Sequence, residues 1–208
     1  MKPFYLLLIC ICLPLYLSAQ DKDPTKYGVD TDFEVPIGIP VDTIAPRIQT
    51  ISITGKIIDT DELIKAGPVV VMFYRGEWCP VCNKYLSEMN ESLPAIKAKG
   101  AVVLAIAPEL PENAAKTQEA TKSDFIFIAD TSLQILKDYD VLFNVTEKYQ
   151  RKIRTFLTTD ISENNGKEDA QLPVPATFII SEKGIIIYKQ FDLNYKNRAS
   201  AEDILEHL

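Results

Sequence analysis

Apolar positions follow two rhythms along this chain. Val69-Val70-Val71-Met72-Phe73-Tyr74 is an unbroken apolar run, the pattern of a central strand covered on both faces. Beyond it Cys82, Leu86, Met89, Leu93 and Ile96 recur at spacings of 4, 3, 4 and 3, which puts them on one buried helical stripe. Pro94 should interrupt that helix and Gly100 should end it. Residues 101–107 and 125–129 then read as strands, with helices over 111–122 and 132–139 between and after them. Upstream, Ile48, Thr50, Ser52 and Thr54 alternate with their neighbours before the turn at Gly55, which predicts a short hairpin or edge strand. A short helix starts at Asp59 and stops at Gly67-Pro68. Downstream, Pro173-Val174-Pro175 leads into a strand, Glu182-Lys183-Gly184 turns it, and residues 185–189 return as a hairpin. Ser200 and Asp203 cap a terminal helix. Strands that alternate with helices imply right-handed crossovers, so the expected class is α/β, with a central mixed β-sheet flanked by helices.

Three stretches stand outside that rhythm. Met1-Lys2, an apolar segment from Phe4 to Leu17 and the small-residue exit Ser18-Ala19 have the form of a secretory signal peptide over residues 1–19. A membrane anchor is the rival, but the segment falls short of the ~20 apolar residues a span needs and contains Pro14. Residues 20–34 are polar and acidic, as in a tether. The expected product is exported, periplasmic or secreted, and residues 35–208 form one domain. Residues 141–171 are too long and too polar for a routine connection, and are expected to be an insertion, helical around 146–156. A net charge of −7 with no basic patch argues against nucleic acid as a partner. An apolar fraction of 47% supports an ordinary globular core.

The chemistry gathers between the first strand and the first long helix, in Arg75-Gly76-Glu77-Trp78-Cys79-Pro80-Val81-Cys82. Two cysteines three residues apart share one face of a first helical turn and can close a small disulfide. Pro80 suits the first helical position, so Cys79 is the N-cap, where free backbone amides and the helix dipole favour a thiolate. A lowered pKa makes such a thiol a nucleophile near neutral pH. Cys82 begins the buried stripe, so Cys79 is expected to be the more exposed sulfur. Arg75 offers a fixed positive charge to a thiolate or a peroxide. Trp78 either shields the sulfurs or serves as a hydrophobic staple. Of the four cysteines, Cys10 and Cys12 fall in the leader. The two that remain, with His207 far away, are too few for a zinc site; soft Cu(I) on the dithiol is the one metal alternative, and no cofactor is expected.

Taken together these residues resemble the thioredoxin-like fold and, within it, the peroxiredoxin-like AhpC/TSA family, over residues 36–208. Phe73 to Cys82 resembles the family's active-site strand and loop. Pro173-Val-Pro-Ala-Thr-Phe-Ile-Ile and Phe191-Asp-Leu-Asn-Tyr-Lys-Asn-Arg198 resemble its C-terminal half. The resemblance implies a cis proline at Pro175 facing the dithiol. It also puts Cys82 at the peroxidatic position, with Arg75 where the family has Pro and Cys79 where it has Thr. The family's peroxide-activating Arg falls at Leu133-Gln134, which carry none. The implied activity is reduction of hydroperoxides through a Cys79/Cys82 dithiol-disulfide cycle, with a thioredoxin-type electron donor. The alternatives are thiol-disulfide exchange on protein disulfides and a non-catalytic binding module of the same fold.

Overall fold

A computed structural model describes residues 23–208; the leader and the first residues of the tether lie outside the described part. In chain order the elements are β1 (Gln49–Ile51), β2 (Ile57–Asp59), α1 (Thr60–Leu63), β3 (Val69–Phe73), α2 (Pro80–Glu91), α3 (Leu93–Ala98), β4 (Val102–Ala107), α4 (Pro111–Thr121), β5 (Ile126–Ala129), α5 (Gln134–Asp138), β6 (Leu142–Asn144), α6 (Glu147–Leu157), α7 (Ile161–Asn165), β7 (Gln171–Pro173), β8 (Thr177–Ile180), β9 (Ile186–Gln190) and α8 (Ala201–Glu206). The central sheet has the order β5-β4-β3-β8-β9. Strand β3 runs parallel to β4 and β4 to β5, whereas β8 is antiparallel to both β3 and β9. This is a mixed sheet flanked by helices, as expected. β1 and β2 form their own antiparallel hairpin.

The continuous apolar run follows from the position of β3 at the centre of the sheet. Side chains alternate across a strand, so Val70, Met72 and Tyr74 join the core on one face while Val69, Val71 and Phe73 join the other. The first face receives Cys82, Leu86 and Met89 of α2 and Leu93 and Ile96 of α3, the stripe read from spacing. On the second face the rings of Phe73, Tyr139 and Phe178 pack with centroids 5.4–6.1 Å apart, within the range of favourable edge and tilted contacts. Helix α2 ends at Ser92, and Pro94 stands in the first turn of α3, where its missing N–H costs nothing. Gly100, at φ +80°, ends α3 in a left-handed conformation that other residues resist.

Residues 141–171 are a folded excursion. Strands β6 and β7 pair antiparallel at its base, with Asn144 opposite Gln171, and α6 and α7 lie between them. Helix α6 is capped by Thr146, whose hydroxyl accepts from Tyr149 N. Helix α7 is a departure from the turn-like Ser-Glu-Asn-Asn-Gly sequence. The Asp160 carboxylate accepts from Ser162 N and Glu163 N at its start, and Ile161 is buried.

Candidate active site

The chain leaves β3 through Tyr74 and a tight loop at Gly76, whose φ of +143° excludes most side chains. A Cβ there would stand 2.7 Å from Trp78 Nε1, so the indole can close down on the loop only over glycine. Cys79 then caps α2 in extended conformation with Pro80 in the first turn, and its sulfur accepts from Cys82 N at 3.3 Å. Cys79 and Cys82 are joined in a disulfide, their Cα atoms 5.2 Å apart.

Cys79 is not the exposed sulfur: both cysteines are 0% exposed. Tertiary structure covers the helix tip that local geometry would leave open. Trp78 and Arg75, 7% and 3% exposed, fold over it. The Arg75 guanidinium lies 3.7 Å from the Tyr195 ring centroid and 5.2 Å from that of Trp78. Its Nη1 donates to Tyr149 Oη of α6 at 2.6 Å, and its Nη2 donates to Cys79 Sγ at 3.3 Å. The Tyr149 hydroxyl is held above its ordinary pKa, first by burial, against the pull of Arg75.

A second guanidinium sits on the second sulfur. Arg198 Nη2 donates to Cys82 Sγ at 3.4 Å, Nε donates to the Tyr195 carbonyl at 2.6 Å, and the group lies over Tyr85, 5.1 Å from the ring centroid. Burial lowers the Arg198 pKa to about 10, so it stays a cation at neutral pH. The expectation that no arginine serves the Cys82 position is therefore corrected. Leu133 packs on the opposite face of the sheet from the cysteines, whereas Arg198 reaches Cys82 from the segment before α8. Nothing in local spacing ties Arg198 to a sulfur 116 residues away.

Glu109, at the end of β4, is a further residue that sequence reasoning missed. Its carboxylate is fully buried and accepts from Tyr74 Oη at 2.7 Å, Thr117 Oγ1 at 3.1 Å and Glu77 N at 2.7 Å. Burial raises its pKa to about 7 against the lowering effect of these donors. Through Glu77 N it pins the cysteine loop to the core, and Asn83 Nδ2 holds the Glu77 carbonyl at 2.7 Å.

Pro175 is buried at the head of β8, next to Ala176, whose carbonyl accepts from Phe73 N at 2.9 Å. No cis peptide bond occurs among the described residues, so Pro175 is trans rather than cis as the resemblance implied. The trans form is favoured by ~0.5–1 kcal/mol for an X-Pro bond, and the chain passes from β7 to β8 without departing from it. Among the described residues no group of three or more His, Cys, Asp or Glu could hold a metal ion.

The family model for the AhpC/TSA family matches residues 41–189. The thiol-disulfide oxidoreductase ResA of a Bacillus cereus strain is 27% identical over 146 residues, covering 70% of this chain and 66% of its own length. The protein of the same name from Bacillus thuringiensis subsp. konkukian is 26% identical over 165 residues, covering 79% and 74%. Among solved structures, peroxidoxin BcpB from Mycobacterium tuberculosis superimposes with a TM-score of 0.62 at 16% identity, over 81% of this chain and 96% of that one. A peroxiredoxin-like protein from Aquifex aeolicus gives 0.60 at 16% identity, over 84% and 91%. At these identities the structures show a common fold.

Proposed function

Because this chain belongs to the AhpC/TSA family and carries a thiol-dependent redox site, we propose that it reduces hydroperoxides by cycling Cys79 and Cys82 between dithiol and disulfide. The observation that carries this reading is the pair of guanidiniums, one on each sulfur, in a buried site. Burial alone would keep a thiol protonated. A cation about 4 Å away offsets that by ~4 kcal/mol at an effective dielectric near 20, which favours the thiolate.

In the reduced enzyme the Cys82 thiolate attacks the terminal oxygen of ROOH. An S–O bond forms, the O–O bond breaks, and the departing RO⁻ takes a proton from solvent to leave as ROH. The Arg198 guanidinium, already at Cys82, faces the charge that develops on the leaving oxygen. Cys79, as thiolate beside Arg75, then attacks the Cys82 sulfenic acid. The S–S bond forms, the S–O bond breaks, and hydroxide leaves with a proton as water. A thioredoxin-type dithiol returns two electrons and two protons and becomes a disulfide itself.

Thiol-disulfide exchange on a protein is the second reading, supported by the names of the curated relatives and by the dithiol at a helix N-cap. Rapid mixing separates the two. Reduced protein should be oxidised by hydrogen peroxide faster than by an equal concentration of a protein disulfide, followed through its single tryptophan, Trp78. Faster oxidation by the protein disulfide would replace the peroxide reading with the exchange reading.

A further inference from the structure

The loop that carries the dithiol is tied down at its middle. Arg75 and Trp78 cover the sulfurs, and Glu77 between them is held from both sides: its N–H donates to Glu109 Oε2 at 2.7 Å and its carbonyl accepts from Asn83 Nδ2 at 2.7 Å. Because both cysteines are fully buried, a reagent reaches the disulfide only when this cover lifts. The partners of Glu109 differ in kind. Glu77 N can only donate, whereas Oε1 meets two hydroxyls, Tyr74 Oη at 2.7 Å and Thr117 Oγ1 at 3.1 Å, which can accept as well as donate. A proton on Oε1 therefore costs no hydrogen bond: the acid donates to one hydroxyl, and Oε2 still accepts from Glu77 N. The ionised form keeps its donors but is a buried charge whose hydrogen-bond partners, from β3, the loop and α4, include no cation. Glu77 adds a like charge, and α7 brings the neutral Asn164, whose carbonyl accepts from Leu110 N.

We propose that Glu109 is a positioning residue for the dithiol: as the neutral acid it holds the loop closed at Glu77, and on losing its proton it drives the loop to lift, which hydrates the carboxylate and opens Cys79 and Cys82 to reaction. The step releases one proton to solvent and changes no heavy-atom bond. Its sign follows from linkage. A group whose pKa in the closed state, here about 7, exceeds its hydrated value favours the closed state at low pH and the open state as pH rises through that value. Such a latch serves peroxide reduction and thiol-disulfide exchange alike, because both pass through these two sulfurs.

Reduction of the disulfide form by dithiothreitol, followed through the fluorescence of Trp78, reads the latch without any oxidising substrate. Glu109→Gln reproduces the neutral acid, with its amide N–H on the hydroxyls and its oxygen on Glu77 N. The ratio of wild-type to Glu109→Gln rates cancels the titration of the reagent itself. That ratio should be about one at about pH 5.5 and rise to about tenfold at about pH 8.5, with its step near pH 7. Tyr74→Phe removes one donor to the carboxylate, so against the same variant its step should move to higher pH. The cysteines do not titrate while disulfide-bonded. His207, the single histidine, stacks on Tyr188 with ring centroids 4.5 Å apart, and His207→Gln should leave the step in place. A ratio that is flat or falls with pH, a step at the same pH in Tyr74→Phe, or one that vanishes in His207→Gln would overturn the proposal.

Discussion

At Glu109 burial and hydrogen bonding pull in opposite directions. Three donors favour the carboxylate and desolvation favours the acid, and the balance is a pKa of about 7, against an ordinary 4.5. Because the folded value is raised, the folded protein binds this proton more tightly than the unfolded chain does. The stabilisation is therefore complete below about pH 4.5 and is lost as pH rises to about 7. At 1.36 kcal/mol for each pH unit the change amounts to about 3 kcal/mol. Urea denaturation between pH 5 and 8 should show stability falling with pH in the wild type, and Glu109→Gln should remove most of that slope. An unchanged slope in the variant would assign the pH dependence to other groups. Glu109 had no sequence signature, since a single acid after an apolar strand matches many surface loops; its donors come from Tyr74, Glu77 and Thr117, on elements that meet only in the fold.

The elements divide by how local their causes are. The β3 run, the α2 stripe, the Cys79-Pro80 cap and the Ser200/Asp203 capping box depend on neighbours a few residues apart, and sequence displays them directly. Helix α7 was hidden because Asn-Asn-Gly favours a turn by local propensity; the Asp160 cap and the burial of Ile161 override it. Strands β6 and β7, three residues each, are too short to show an alternating pattern, and their pairing closes the insertion. That closure has a consequence for the site, because α6 carries Tyr149 to Arg75 across 74 residues. Tyr149→Phe leaves the buried Arg75 Nη1 without its partner, a loss of ~1–3 kcal/mol for a hydrogen bond to a charged group. The urea midpoint should fall without a change in m, and Cys79 should be alkylated faster in the reduced variant as the cover over it loosens. A midpoint equal to the wild type would show that the α6 contact does not hold Arg75.

Over the whole molecule, the site assembles from three regions: the loop after β3 brings both sulfurs and Arg75, the insertion brings Tyr149, and the segment before α8 brings Tyr195 and Arg198. The fold class and the dithiol were legible in the chain because they repeat local patterns, whereas the arginine on Cys82 depends on a return of the chain past β9 that no spacing encodes. The same return lays the Tyr195 ring on the Arg75 guanidinium that covers Cys79. The proposed cycle makes Cys82 the sulfur that meets peroxide and Cys79 the sulfur that resolves it. The direct test is one equivalent of hydrogen peroxide added to reduced Cys79→Ser protein with dimedone present, followed by peptide mass mapping. The adduct should appear on Cys82 at close to one per chain, and reduced Cys82→Ser protein treated in the same way should show none on Cys79. Labelling of Cys79 in Cys82→Ser, with Cys82 unlabelled in the partner variant, would contradict the account and make the N-cap cysteine the attacking thiol.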